Sequence, residues 1–92
     1  IVTGFRFANG GAQELFGVTP DLTALGKSIA NGFPLSAVAG RADVMKLMEE
    51  IFFSFTMGGE ALSLAAAIAT MKKIKSRSVT AKIAETGNLL LD

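Results

Sequence analysis

Between Asp21 and Arg41 lie nineteen residues, LTALGKSIANGFPLSAVAG, with one charged side chain among them, Lys27, set between Gly26 and Ser28. So apolar a run is driven out of water, and its lone ammonium must then be paired, lose its proton or react. Lysines that condense with carbonyl compounds do so as the neutral amine. The competing reading is that Lys27 reaches water along its four-carbon stem and does no chemistry.

The rest of the chain is apolar too. Half of its 92 residues are hydrophobic and only 18% are charged, with a mean hydropathy of +0.46. That excludes a disordered chain. A stand-alone domain of this size carries a more polar exterior, so the expectation is a segment of a larger protein or a protomer with a large interface. The opening Ile1-Val2, with neither an initiator Met nor a capping signal, adds to the expectation of an internal fragment.

Net charge is +1, with the basic residues scattered, so no partner nucleic acid is expected. The densest cluster, Lys72, Lys73, Lys75 and Arg77, reads as cations at a helix C-terminus. With neither cysteine nor histidine in the chain, disulfides, thiolate chemistry, Ser-His catalysis and His-ligated metals are excluded. No run approaches eighteen uninterrupted apolar residues, so no membrane span is expected. The expected location is cytoplasmic.

Along the chain, Ile1 to Thr3 reads as a strand end and Asn9-Gly10-Gly11 as a turn. Ala12 to Phe16 makes a short helical turn closed by Gly17, and Thr19-Pro20-Asp21 interrupts the chain again. Leu22 to Leu25 is a short buried strand with Gly26-Lys27 at its end; Asn31 to Pro34 is a loop, and Leu35 to Ala39 a second strand. The spacing predicts an amphipathic helix over 42–50, an extended apolar tract over 51–55 and a long helix from Glu60 to about Lys75. The alanines 65, 66, 67 and 69 of that helix would admit a close neighbour. Ser78 caps a last helix with Val79, Ile83 and Leu90 on its buried side. This alternation points to an α/β architecture.

A second feature complements Lys27. Thr56-Met57-Gly58-Gly59 precedes a helix start, where unpaired N–H groups, a positive dipole end and a Thr hydroxyl suit a phosphate. Thr and Gly before a helix are also ordinary capping residues, and Glu60 complements the dipole without a ligand.

Taken together, TGFR, GGAQELFGVTPDLT, LGK, Pro34-Leu35-Ser36-Ala37 and Gly40-Arg41 resemble the pyridoxal-phosphate-dependent class III aminotransferases. The resemblance spans nearly the whole chain. It is densest to the branch holding glutamate-1-semialdehyde aminomutase and related sugar-pathway or polysaccharide-cluster aminotransferases. It implies an α/β fragment of the fold-type I PLP-dependent transferase large domain, three-layered with a mixed, mostly parallel sheet. Residues 1–78 would belong to that cofactor-binding domain, and 79–92 to a helix leading towards the C-terminal small domain.

The same resemblance implies that Lys27 holds pyridoxal 5'-phosphate as a Schiff base. It also implies that Thr56 contacts the cofactor phosphate of the neighbouring subunit in a homodimer, and that the substrates are a small-molecule amino donor and acceptor. Glu60-Ala61 stands where Asn-Pro is commoner in the family, which favours a related branch over the aminomutase itself. Arg6 and Gln13 lie in well-matched segments without an assigned ligand.

In the family an Asp-Glu pair precedes the residues matching Ile1 to Arg6, and the cofactor's stacking aromatic and main phosphate loop lie further upstream. These 92 residues alone are therefore not expected to be active. Two other readings stand beside this one: a non-catalytic relative that keeps the fold, and a small apolar interaction domain that ignores the cofactor.

Overall fold

The computed structural model describes residues 1–91. Its elements run α1 (Ala12–Leu15), β1 (Leu22–Leu25), a 3-10 turn (Lys27–Ile29), β2 (Ala37–Gly40), α2 (Ala42–Met45), a second 3-10 turn (Lys46–Glu49), α3 (Ala61–Ser76) and α4 (Val79–Leu91). Strands and helices are both present, but the described sheet is a single two-stranded pair rather than the expected three-layered, mostly parallel one.

β1 and β2 form an antiparallel pair in the register Leu22↔Gly40, Thr23↔Ala39, Ala24↔Val38 and Leu25↔Ala37. Hydrogen bonding at the open end fixes that register. The Arg41 N–H donates to the Asp21 carbonyl (3.0 Å), one step beyond the last pair. Arg41 also places its guanidinium on Asp21 (3.0 Å) and Asp43 (2.7 Å). Both hydrogen bonds raise its pKa, that to Asp43 more. Exposed pairs of this kind add little stability; the backbone does the aligning.

At Gly40 the strands come so close that an added Cβ would lie 2.2 Å from the Asp21 carbonyl oxygen and 3.0 Å from the Leu22 Cα. Glycine is required there by space. Gly40→Ala in the full-length protein is expected to cost about 1–3 kcal/mol, as over-packing does, read as a lower denaturation midpoint. An unchanged midpoint would mean that the Asp21 carbonyl moves aside freely.

α3 starts at a cap that its sequence builds. Glu60 is the N-cap residue, and its carboxylate accepts hydrogen bonds from the N–H groups of Leu62 (2.7 Å) and Ser63 (2.8 Å) and from the Ser63 hydroxyl. Ser63 is fully buried yet satisfied by that bond. The core lies where α3 meets the first 3-10 turn. Ile29, Ala30 and Ala67 are buried together there, with Phe5, Leu25, Leu35 and Ala37 packed around them. Ala67 is the one buried member of the predicted alanine face; Ala65 and Ala69 are exposed.

Several sequence expectations change. Ile1 to Thr3 forms no strand, and β2 is shifted two residues towards its C-terminal end from the predicted Leu35 start. The helix predicted over 42–50 breaks after Met45 into a 3-10 turn, with Leu47 54% exposed. An amphipathic segment this short needs a packed face to stay helical. Residues 51–55, predicted to be an extended apolar tract, join no strand among the described residues and are exposed. Of the face predicted buried on α4, Val79 is half-buried while Ile83 and Leu90 are exposed, and Ser78 enters that helix at φ 48°. Asp92, the end of the expected 79–92 segment, lies outside the described residues.

The chain is spread over 50 × 31 × 22 Å with a radius of gyration of 15.0 Å; a compact domain of this length has about 12 Å. Its accessible surface is 7047 Å², against about 5,100 Å² for a folded monomer of this mass. Much of the excess is apolar, with Phe52 at 96% exposure and Leu91 at 87%. No described helix is long and apolar enough to cross a membrane. That surface is of the kind other protein covers.

Candidate active site

β1 ends in extended Gly26 (φ −174°), which is buried, and the chain turns at once through Lys27 at φ 51°. The left-handed conformation costs a non-glycine residue about 1–2 kcal/mol and persists only where its surroundings enforce it. Three sets of contacts do so. The Ile29 N–H donates to the Gly26 carbonyl (3.2 Å) and the Asn31 N–H to the Lys27 carbonyl (3.1 Å). Ile29 (5% exposed) and Ala30 (1%) are seated on Ala67 of α3. Arg6 Nε–H donates to the Ser28 Oγ at 2.7 Å.

The lysine itself is exposed. Of the two readings of the run, exposure is the one in which the lysine reaches water along its stem: the run buries its neighbours, Gly26, Ile29 and Ala30, and leaves Lys27 outside. Lys27 is thus held at the backbone while its side chain stands in water, where a lysine amine is accessible.

Thr56 opens the turn 56–59 that leads into α3, and it too is exposed. The Gly58 N–H donates to the Phe55 carbonyl (3.0 Å) and the Glu60 N–H to the Met57 carbonyl (3.2 Å), whereas those of Met57 and Gly59 donate to no backbone carbonyl among the described residues. Gly59 sits at φ 76° with open space where a Cβ would stand. The turn thus leaves the N–H groups of Met57 and Gly59 without a backbone partner among the described residues, beside the exposed Thr56. The helix start proper is less available than its sequence implied, because Glu60 already occupies the N–H groups of Leu62 and Ser63.

Lys27 and Thr56 share none of the described clefts. They are linked through α3, which carries the lysine's seat at Ala67 and follows directly from the Thr56 turn. A cleft of about 410 Å³ joins Pro34, Leu35 and Ser36 to Phe55, Met57 and Gly59, so the loop after Lys27 and the Thr56 turn share a wall. Gln13 accepts a hydrogen bond from the Thr23 hydroxyl (2.9 Å), a structural duty. The Arg6–Ser28 bond and the full extent of Glu60's capping were not foreseen. Only the latter left a signal, a carboxylate three residues ahead of Ser63 at a helix start.

The Glu60 carboxyl is held below the ordinary glutamate value of 4.5, chiefly by the Ser63 hydroxyl and then by the Ser63 and Leu62 N–H groups. A depressed carboxyl stabilises fully above its unfolded pKa and loses that contribution as pH falls through the folded one. Glu60→Gln in the full-length protein is therefore expected to flatten the loss of stability below about pH 4.5. Parallel acid-denaturation curves for the two proteins would remove the cap from that account.

The model for the family described as Aminotransferase class-III matches residues 1–92. The chain belongs to the class-III aminotransferases. Among related class-III proteins, the glutamate-1-semialdehyde 2,1-aminomutase of Syntrophobacter fumaroxidans is 44% identical over 95 residues, covering 100% of this chain and 22% of that protein. The protein of the same name from Pelotomaculum thermopropionicum is 41% identical with the same coverage. That of Nitrosopumilus maritimus is 46% identical over 77 residues, covering 80% of this chain and 18% of its own. The chain thus spans about a fifth of the length of these relatives. All three bear the aminomutase name, although Glu60-Ala61 favoured a related branch.

Proposed function

We propose that these residues carry the lysine-bearing part of a pyridoxal-phosphate-dependent enzyme that moves an amino group, and that Lys27 is its Schiff-base residue. The observation that carries this reading is the lone cation of the apolar run, fixed at its backbone in a left-handed turn off the end of β1 with its amine exposed, in a class-III aminotransferase.

When bound, pyridoxal 5'-phosphate supplies an aldehyde for amines and a conjugated ring that takes up the electron pair of a broken C–H bond. Lys27 Nζ would hold the cofactor through its aldehyde carbon, the aldehyde oxygen leaving as water, and would give that carbon up to the substrate amine. Once released, the same Nζ would serve as the base that takes the proton from the amine-bearing carbon and as the acid that returns it. The seat on α3 limits the wandering of the amine, so the proton transfer is effectively intramolecular. Thr56 would hold the cofactor phosphate through a hydrogen bond from its hydroxyl, from one protomer of a homodimer to the site of the other. Such a pairing would also cover exposed apolar surface.

Residues 1–78 would lie in a fold-type I large domain and 79–92 would lead towards a small domain. The antiparallel β1–β2 pair suits the edge of a mixed, mostly parallel sheet in three layers. A cytoplasmic, metabolic role is part of this proposal. The favoured substrate is the amino aldehyde of the relatives' name, glutamate-1-semialdehyde, with the amino group moved between adjacent carbons. Glu60-Ala61 favours the second reading, transfer between a separate amino donor and acceptor. Product analysis separates them, since only the second needs an added keto acid or aldehyde.

The test is borohydride reduction of the full-length protein with bound cofactor, followed by peptide mass mapping. One pyridoxyl adduct, on Lys27, is the expected result. No adduct, or labelling spread over lysines such as Lys72 and Lys82, would overturn the proposal in favour of a binding or structural role.

A further inference from the structure

The lysine's turn is fastened on two sides of different character. On one, Ile29 and Ala30 are buried against Ala67, a contact that fixes where the turn sits but leaves rotation about the first residues of the turn resisted only by short-range backbone bonds. On the other, the Arg6 guanidinium reaches across 22 residues of sequence to the hydroxyl of Ser28, the residue next to Lys27. At 2.7 Å this is a short, charge-assisted bond, and it is the one side-chain hydrogen bond to residues 26–31 among the described residues. Arg6 is drawn from the loop ahead of α1, whose Phe5 already packs on the Ile29, Ala30 and Ala67 cluster, so the bond adds a polar tie between that loop and the lysine's turn.

We propose that Arg6 is a positioning residue for Lys27, acting through the Ser28 hydroxyl. The proposal rests on Lys27 being the Schiff-base lysine. Ser28 has a peptide bond in common with Lys27, so a restraint on the serine's side chain limits the left-handed backbone of the lysine and hence the arc its amine can sweep. Arg6 and Ser28 both line a cleft of about 450 Å³ closed by Thr70, Lys73 and Ile74 of α3. No carboxylate lines that cleft to draw the guanidinium away from the hydroxyl. Nζ itself touches neither group; their effect is on how often it is correctly placed.

The experiment uses full-length protein stripped of cofactor, to which pyridoxal phosphate is added and samples are quenched with borohydride over time. In the link so trapped, the amine nitrogen bonds to the aldehyde carbon and the carbonyl oxygen leaves as water; hydride then reduces the imine to a stable secondary amine. Ser28→Ala and Arg6→Met are each expected to slow the appearance of adduct on Lys27 about tenfold, the worth of a hydrogen bond to a charged group. The double variant should be no slower than the slower single one, Ser28→Thr should restore the rate, and Arg6→Lys should restore little if planar donation matters more than charge. Melting temperatures of the cofactor-free variants, compared with the unsubstituted protein, separate positioning from general loosening of the fold.

Labelling of Lys27 at an unchanged rate in Ser28→Ala or Arg6→Met would overturn the positioning role and leave the Schiff-base assignment intact. So would additive slowing in the double variant, or slowing that tracks the fall in melting temperature. Failure of the unsubstituted protein to label at Lys27 would overturn both.

Discussion

Replacing Lys27 with alanine in the full-length protein is expected to abolish turnover and the absorbance of the lysine–cofactor link, while leaving the fold intact. Loss of the proton-transfer role alone is worth roughly 10²–10⁴-fold in rate, and loss of the covalent anchor adds to it. The fold should survive because Lys27 is exposed and its turn is held by Ile29, Ala30 and Ser28 rather than by the lysine. Alanine also tolerates φ 51° about as poorly as lysine, so the backbone penalty is unchanged. Steady-state rates, the cofactor's absorption spectrum and a melting curve together check this. Turnover within a factor of two of the unsubstituted protein would end the assignment of Lys27 as the reactive amine.

Thr56→Val is expected to carry the second-largest effect, on cofactor retention. Valine matches threonine in shape and removes only the hydroxyl, so the turn 56–59 keeps its Gly58-to-Phe55 and Glu60-to-Met57 hydrogen bonds. A hydrogen bond to a charged phosphate contributes about 1.5–3 kcal/mol, or roughly ten- to a hundredfold in affinity. Because Thr56 would serve the partner's site, a mixed dimer of Thr56→Val and Lys27→Ala protomers should have one site lacking both groups and one retaining both. Equal cofactor dissociation constants for Thr56→Val and the unsubstituted protein would count against the phosphate role.

The parts of this structure that the sequence made legible are those decided within a few residues. β1 appears at its predicted bounds because Pro20 and Gly26 close the Leu22–Leu25 run on both sides. α3 is found within a residue of expectation because Glu60 marks its start and no proline interrupts it. Lys27 and Thr56 stood out for the same reason, one as an isolated charge and the other as a hydroxyl beside glycines before a helix.

What was not legible depends on partners distant in sequence. The bounds of β2 follow from Gly40 fitting against Asp21 and Leu22, nineteen residues away by sequence at the Asp21 contact, and no local pattern specifies that fit. Ile1 to Thr3 and the segment 51–55 have the composition of strands, but among the described residues nothing pairs with them. The sequence left the exposure of Lys27 open, since hydropathy averages over a run and both burial and escape along the stem fit it; the left-handed turn decides it by sending one side chain away from its neighbours. The bond from Arg6 to Ser28 lies between two polar residues unremarkable by themselves.

Ala67 is a residue without chemistry, yet the lysine's turn rests on it. For an engineer altering this chain, position 67 should be left fixed in any library, since a valine there would lift Ile29 and Ala30 and carry the Lys27 turn with them. Variation belongs at exposed positions nearby, Phe33 and Met57 among them, where side chains can change without disturbing the helix on which the Lys27 turn rests.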